Sequence, residues 1–462
     1  MSDIVCTSPI DGRIVDRRPT ASGADIELAL AAARAAQAGW KRTPIAERAE
    51  LCLKFLDAMV AMSDDIVPEL AWQMGRPVRY GGEFKGFEER IRFMARHAEE
   101  YLEPVRPPEE WQGFKRYIKR EPLGVVFTVA PWNYPYLTAV NSIVPALLAG
   151  NAVVLKHAAQ TILVGDRFQQ AFEAAGAPAG LFRTLALSHD DTTRLIGSGE
   201  VDLVCFTGSV AGGQVIERAA AGTFTPVGLE LGGKDPAYVR ADVSLEHAIE
   251  NLVDGAFYNS GQCCCGIERI YVHEDVYDDF VDGFVTLTNG YTLGNPLEDA
   301  TTLGPMAQAR IADTVRRQTE DALNRGAEAL IDARRFAADV GTGTYLAPQV
   351  LVEVDHSMSV MVEESFGPVV GIMKVSDDAE ALRLMNDSPY GLTASVWTRD
   401  LEAAERLGDQ LETGTVFMNR CDYLDPALAW TGVKDTGRGA TLSRVGFEAL
   451  TRPKSFHLRT SL

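Results

Sequence analysis

Val125-Val126-Phe127-Thr128-Val129-Ala130-Pro131-Trp132-Asn133-Tyr134-Pro135 is the stretch on which the fold turns. Its apolar opening reads as a short buried strand, and the prolines bracketing Trp132-Asn133-Tyr134 end that strand in a turn. An apolar helix follows and stops at Gly150-Asn151, where a glycine suits the cap. Residues 152–155 form the next buried strand, with Lys156 at its end. Another helix leads to a strand at 201–206 that runs straight into Thr207-Gly208-Ser209. Strands alternating with helices argue a parallel sheet of the dinucleotide-binding type. Such sheets bind ligands at the carboxyl ends of their strands, and Asn133, Lys156 and Ser209 all stand there.

Upstream, two amphipathic helices are expected to open the chain. In residues 43–59, Thr43 suits the N-cap and Pro44 the first helical position. Ile45, Ala49, Cys52, Leu53, Leu56 and Met59 then share one face. Residues 106–121 carry the alternation Phe114-Lys115-Arg116-Tyr117-Ile118-Lys119-Arg120, the pattern of an exposed, two-faced strand. That strand is an edge ribbon or an arm that pairs with another subunit. After about Gly232 a second α/β unit runs through Phe417, and residues 453–462 again read as a strand.

The chain has 462 residues, enough for two or three compact units, and a formal net charge of −20. That charge disfavours nucleic acid and anionic membranes, which demand a basic footprint. Seven cysteines, three of them adjacent, make a poor disulfide framework and suit a reducing compartment. With no signal-like N-terminus and no apolar run of about 18 residues, a cytoplasmic protein is expected.

Asn259-Ser260-Gly261-Gln262-Cys263-Cys264-Cys265 is the densest chemical signal. Adjacent cysteines lack the spacing by which two thiolates reach one zinc, so no metal is expected. Inert buried thiols are one reading; the other is a nucleophile presented by the Gly261-Gln262 turn. Gly228-Leu229-Glu230-Leu231-Gly232-Gly233-Lys234 sets a carboxylate among apolar residues, where burial would raise its pKa toward general-base use. Asn133 is either a turn-stabilising residue or an amide donor aimed at an oxyanion. Gly208-Ser209-Val210-Ala211-Gly212-Gly213 follows a strand and opens a helix, so its amides could hold a pyrophosphate.

Taken together and in this order, these segments resemble the aldehyde dehydrogenase superfamily over nearly the whole chain. The cysteine pattern appears as Gly261-Gln262-Cys263-Cys264-Cys265 with Arg269 beyond it, and the glutamate pattern as Leu229-Glu230-Leu231-Gly232-Gly233-Lys234, 34 residues before Cys264. Pro131-Trp132-Asn133-Tyr134-Pro135, Phe206-Thr207-Gly208-Ser209, Glu364-Ser365-Phe366-Gly367-Pro368 and Gly432-Val433-Lys434-Asp435-Thr436-Gly437-Arg438-Gly439 match as well. The resemblance implies a nucleophilic Cys264, an oxyanion held by Asn133, and water activated by Glu230 to hydrolyse a thioester, with Cys263 and Cys265 as bystanders. It implies NAD or NADP held by Pro131, Trp132, Lys156, Gly208, Ser209, Leu231, Glu364 and Phe366. The implied fold is α/β: a Rossmann-type cofactor domain (1–105 and 124–232), a second α/β catalytic domain (233–449), and a small β oligomerisation arm (106–123 and 450–462). A homodimer or homotetramer is then expected.

The sequence departs from the family pattern in three places. Ala159 stands where NAD-preferring members place a glutamate on the ribose 2′-hydroxyl, so NADP should be accepted as well as NAD. The usual glycine pair is absent from residues 183–190, and His157 replaces a proline. By family position Tyr134, Tyr258, Asp422 and Trp430 line the aldehyde tunnel. An aromatic box could take an aromatic or amino-aldehyde, although Asn141 stands where cationic-aldehyde members often carry a tryptophan. Arg420 could instead attract a carboxylate, as in succinate semialdehyde oxidation, but an aromatic or amino-aldehyde is expected ahead of it. Glu230 argues against transfer of the acyl group to coenzyme A. Cys264, Glu230 and Asn133 together argue against a non-catalytic relative kept for binding or structure.

Overall fold

A computed structural model describes residues 3–461. The strand Val125–Val129 lies at the middle of a six-stranded sheet. Ala152–Lys156 and then Phe182–Thr184 lie on one side of it. Leu203–Thr207, Val227–Glu230 and Gly437–Arg438 lie on the other. All but the last pair in parallel. The chain leaves Val125–Val129 first to one side and later to the other, so the switch point of the sheet falls at the end of that strand. Ligands of open parallel sheets collect at such a crevice, and Asn133 follows directly. Every residue of Val125–Val129 and Ala152–Lys156 is buried, as expected of strands covered on both faces. The apolar helix Pro135–Ala149 begins with its proline in the first turn and ends at Gly150 in the left-handed conformation.

A second sheet of seven strands runs in the order Glu328–Ala329, Gln349–Val352, Val369–Val375, Ile267–His273, Asp235–Val239, Thr393–Trp397, Thr415–Met418. Its hydrophobic clusters draw on residues from Ala237 onward, whereas the first sheet's core draws on residues up to Leu231. The first core also takes Ala307, Phe447 and Leu450. The C-terminal stretch thus returns to the first sheet: Gly437 pairs with Glu230, and helix Ser443–Ala449 packs on Pro135–Ala149.

Three expectations need correction. The chain opens on an antiparallel hairpin, Asp3–Thr7 with Ile14–Pro19, before helix Gly23–Trp40. Helix Ile45–Ala61 starts one residue later than expected, because Pro44 keeps an extended ψ of 145° and caps without a side-chain bond. The ribbon strand is Phe114–Pro122, shorter than residues 106–121. Pro107 and Pro108 lack the N–H that a ladder needs, and only Val105 bridges back, to Ile118. Phe114–Pro122 pairs antiparallel with Thr451–Arg459 in a separate two-stranded sheet, its Tyr117 and Phe456 rings stacked at 4.6 Å. The expected strand end at Leu462 lies outside the described residues. Among the described residues no helix is long and apolar enough to cross a membrane.

Candidate active site

Helix Leu245–Phe257 gives way to a turn in which Asn259, Ser260 and Gly261 all take left-handed φ, at 54°, 56° and 71°. For a non-glycine residue that conformation costs about 1–3 kcal/mol, so surrounding bonds must hold it. Ser260 Oγ donates to the Gly304 carbonyl at 2.9 Å, and Gln262 Oε1 accepts from the Ala307 amide at 2.8 Å. At Gly261 a Cβ would stand 2.3 Å from the Gly367 carbonyl oxygen. The third residue must therefore be glycine, and the turn is locked against Gly367-Pro368. Out of this turn come the three thiols. Cys263 and Cys264 are half-buried and Cys265 is buried.

Asn133 meets the same turn from the first sheet. Its Nδ2 donates to the Gln262 carbonyl at 3.2 Å, and Asn259 Nδ2 donates to the Asn133 and Gln262 carbonyls at 3.2 and 3.3 Å. Behind them lies Arg76, paired with Glu83; their side chains are 2 % and 3 % exposed. The Arg76 guanidinium also donates to the Asn133 carbonyl and, through Nε at 3.2 Å, to Asn259 Oδ1. Glu83 Oε2 accepts from the Leu137 amide at 2.7 Å. One buried ion pair thus binds the switch-point turn to the cysteine turn. No motif in the sequence announces it.

The thiols form one cluster, with Cys263 and Cys265 sulfurs 3.5 Å apart. Hydrogen bonds from Cys264 and Cys265 hold Cys263 well below the ordinary thiol range, and the bond given to Cys263 holds Cys264 well above it. Cys263, expected to be a bystander, thus lies in the same sulfur cluster as Cys264.

Glu230 ends the strand Val227–Glu230. Its carboxyl accepts from Thr207 Oγ1 at 3.2 Å and from Thr441 Oγ1. Burial pushes its pKa up, while these two threonines and the charge of Arg90 pull it down. Among the described residues it makes no hydrogen bond to the cysteine turn. Thr441 in turn exchanges two backbone bonds of 2.9 Å with Trp430. Trp430 lies in a small apolar cluster with Cys265, Leu392 and Leu442, against which Cys263 and Cys264 rest. Tyr134, Tyr258 and Asp422 lie within electrostatic reach of one another, and Tyr134 and Asp422 also face Cys263. Burial pushes Asp422 up to about 7. Arg76 stacks over Tyr134 at 4.8 Å, and Arg420 stands exposed over Tyr423 at 3.9 Å.

The residues expected to bind a dinucleotide form a second group. Lys156 is buried, and burial pushes it down to about 8; no carboxylate among the described residues pairs with it. Ser209 caps helix Val210–Ala220 by accepting from the Gly212 amide at 3.2 Å, and the Gly208 amide donates to the Glu230 carbonyl at 3.1 Å. Glu364 Oε1 accepts from the Gly233 amide at 3.3 Å, and its pKa is pushed up to about 8 by burial. A Cβ at Gly232 would stand 1.9 Å from a Glu364 carboxyl oxygen, so a side chain there would displace that carboxyl. The Leu231 side chain lies over Gly213 in that helix. Trp132, just after Pro131, and Phe366 meet edge to face with centroids 5.5 Å apart. A buried ion pair, Lys234 with Glu268 at 2.6 Å, joins the segments, since Glu268 also accepts from the amides of Ser365 and Phe366. His157 is buried between the Pro135 carbonyl and Thr161, and burial pushes it down to about 4.

The family model described as "Aldehyde dehydrogenase family" matches residues 2–456. The chain belongs to the aldehyde dehydrogenase family. An aldehyde dehydrogenase of Paenarthrobacter nicotinovorans is 35% identical over 441 residues, covering 93% of this chain and 94% of that protein. The succinate semialdehyde dehydrogenase [NAD(P)+] Sad of Escherichia coli K12 is 33% identical over 443 residues, covering 96% and 95%. Among solved structures, the NAD-dependent aldehyde dehydrogenase of Sinorhizobium meliloti superposes with a TM-score of 0.95 at 32% identity, over 100% of this chain and 92% of that one. The succinic semialdehyde dehydrogenase of Streptococcus pyogenes, solved with NADP+, gives 0.93 at 27% identity, over 99% and 100%. The candidate site thus gathers segments that the sequence marked, and adds Arg76, Glu83, Thr207 and Thr441. Of these only Thr207 lay inside a recognisable motif.

Proposed function

We propose that this aldehyde dehydrogenase oxidises an aldehyde bearing a carboxylate to the corresponding diacid through a thioester on Cys264. The observation that carries the reading is the Asn133 carboxamide tied to the Gln262 carbonyl, two residues before Cys264. One amide hydrogen serves that carbonyl, and the other is free for the oxyanion that forms when the Cys264 sulfur attacks the aldehyde carbon. The Cys264 backbone N–H supplies the second donor. Unpaired Lys156, the Ser209 helix start and Glu364 fit the ribose and pyrophosphate groups of NAD(P)+, with Pro131, Trp132, Gly208, Leu231 and Phe366 around them. The chemistry NAD(P)+ supplies there is acceptance of a hydride from the thiohemiacetal carbon. Glu230, turning from its two threonines, takes a proton from the water that attacks the thioester. The carbon–sulfur bond then breaks, releasing the carboxylic acid and the thiol.

An anionic substrate is favoured over a cationic one by charge. The Tyr134 face is already occupied by Arg76, a second guanidinium, Arg90, faces Glu230, and Asp422 at about 7 is a weak anion. Relatives named as succinate-semialdehyde dehydrogenases point the same way. The two-stranded arm, which among the described residues pairs beyond itself only through the single Val105–Ile118 bridge, suits pairing between subunits. Initial rates of cofactor reduction across semialdehydes, amino-aldehydes and benzaldehydes test the substrate; highest kcat/KM for amino-aldehydes would contradict it. Normal cofactor reduction by Cys264→Ser would remove the nucleophile, and acyl-CoA formation from aldehyde and CoA would remove the hydrolytic step.

A further inference from the structure

Arg90 lies in helix Phe84–Tyr101 and is only 4 % exposed. Its Nη1 donates to the Leu137 carbonyl at 2.8 Å and to Asn141 Oδ1 at 2.9 Å, both neutral acceptors on helix Pro135–Ala149. Among the described residues no carboxylate lies within ion-pairing distance of it. A buried charge without a counter-ion is strongly disfavoured unless something else compensates it. Arg90 therefore differs from Arg76, whose every neighbour is accounted for. The charged groups that act on it most strongly are Glu230, then Glu83, with the Cys265 thiol and Glu89 after them, so the guanidinium lies within electrostatic reach of the Glu230 carboxyl. Asn141 adds an independent sign. Because Arg90 occupies its Oδ1, its Nδ2 must face the other way, and that nitrogen is buried without a partner. Asn141 shares with Glu230 and Thr441 the lining of a cavity of about 240 Å³. A cationic fork and an amide N–H, both unspent, thus stand beside the group expected to activate water.

We infer that Arg90, braced by Asn141, binds the distal carboxylate of an ω-carboxy aldehyde and so sets substrate specificity. Guanidinium and carboxylate match as planar, two-pronged partners, and the Asn141 amide supplies a further donor. The inference rests on the anionic-substrate reading above and assigns the group that does the selecting. The other role open to Arg90 is electrostatic support of Glu230, and a base serves charged and uncharged aldehydes alike. The deciding quantity is therefore a ratio: kcat/KM for succinate semialdehyde over kcat/KM for butanal, its uncharged counterpart. Wild type should give a ratio well above one. Arg90→Met should lower that ratio by about 30-fold or more, as expected for loss of a charge-assisted pair. Arg90→Lys, which keeps the charge without the fork, should lower it by about 5-fold. A wild-type ratio near one would overturn the substrate reading itself. A high wild-type ratio that survives in Arg90→Met overturns the role of Arg90 alone. If Arg90→Met does not fold, Arg90→Lys and Asn141→Ala carry the same measurement, and wild-type ratios in both overturn it.

Discussion

Two buried arginines divide the active site. Arg76, on the cysteine side, is anchored through all three nitrogens: Glu83, the Asn133 carbonyl and Asn259 Oδ1 each take one donor, and Tyr134 takes its face. Arg90, on the Glu230 side, has only two neutral acceptors, the Leu137 carbonyl and Asn141 Oδ1. The first region is closed and holds its geometry before any ligand arrives; the second keeps donors in reserve. The contrast separates groups that position the chemistry from groups that select what enters it.

The largest effect should come from cutting the closed region. Arg76→Met leaves Glu83 buried and unpaired, which should cost about 3–5 kcal/mol of stability, read as a fall in the denaturant midpoint. Arg90→Met removes a charge that has no ion-pair partner and strands two neutral acceptors, so its midpoint should fall by less, for a loss of about 1–3 kcal/mol. Equal losses in the two variants would erase the distinction. Next in size, Asn133→Ala should lower kcat by about 10²–10³ while the denaturant midpoint stays near wild type, since the Arg76–Glu83 pair remains; a loss confined to KM would show that the amide does not serve the transition state.

Smaller effects belong to the open side. With Ala159 exposed and no carboxylate in its place, NAD should be preferred over NADP by less than about a thousandfold in kcat/KM, roughly 4 kcal/mol. Glu230 works ionised, so hydrolysis rises with pH as its burial-raised carboxyl loses its proton. Thr441 donates to that carboxylate and lowers its pKa. In Thr441→Val the acidic limb of the rate should therefore move to higher pH, by about one unit or roughly 1.4 kcal/mol; a limb that stays fixed would mean the bond does not persist in the working enzyme.

Motifs that end strands were legible from sequence because strand, turn and chemistry lie side by side along the chain. That holds for the switch-point turn at Asn133, for Lys156, for Thr207-Gly208-Ser209, for Glu230 and for the cysteine turn. Arg76, Glu83 and Arg90 were not legible. Charged residues in and around amphipathic helices read as a solvated face; Arg90 turns inward where Phe84–Tyr101 packs on Pro135–Ala149, and Arg76 where its loop meets the Asn133 and cysteine turns. Thr441 was hidden for another reason: it reaches Glu230 because the chain returns to the first sheet at Gly437–Arg438, a pairing that local periodicity does not encode. The opening hairpin escaped because its strands, Asp3–Thr7 and Ile14–Pro19, are short and half exposed.

The account stands on one covalent bond. In Glu230→Gln, hydrolysis should slow while attack and hydride loss continue, so the acyl group should accumulate on the enzyme. Mixing this variant with succinate semialdehyde and NAD(P)+, quenching in acid and fragmenting the peptide spanning residues 259–269 by mass spectrometry locates that group. A thioester on Cys264 is predicted; an acyl group on Cys263, or on no cysteine at all, would contradict the account.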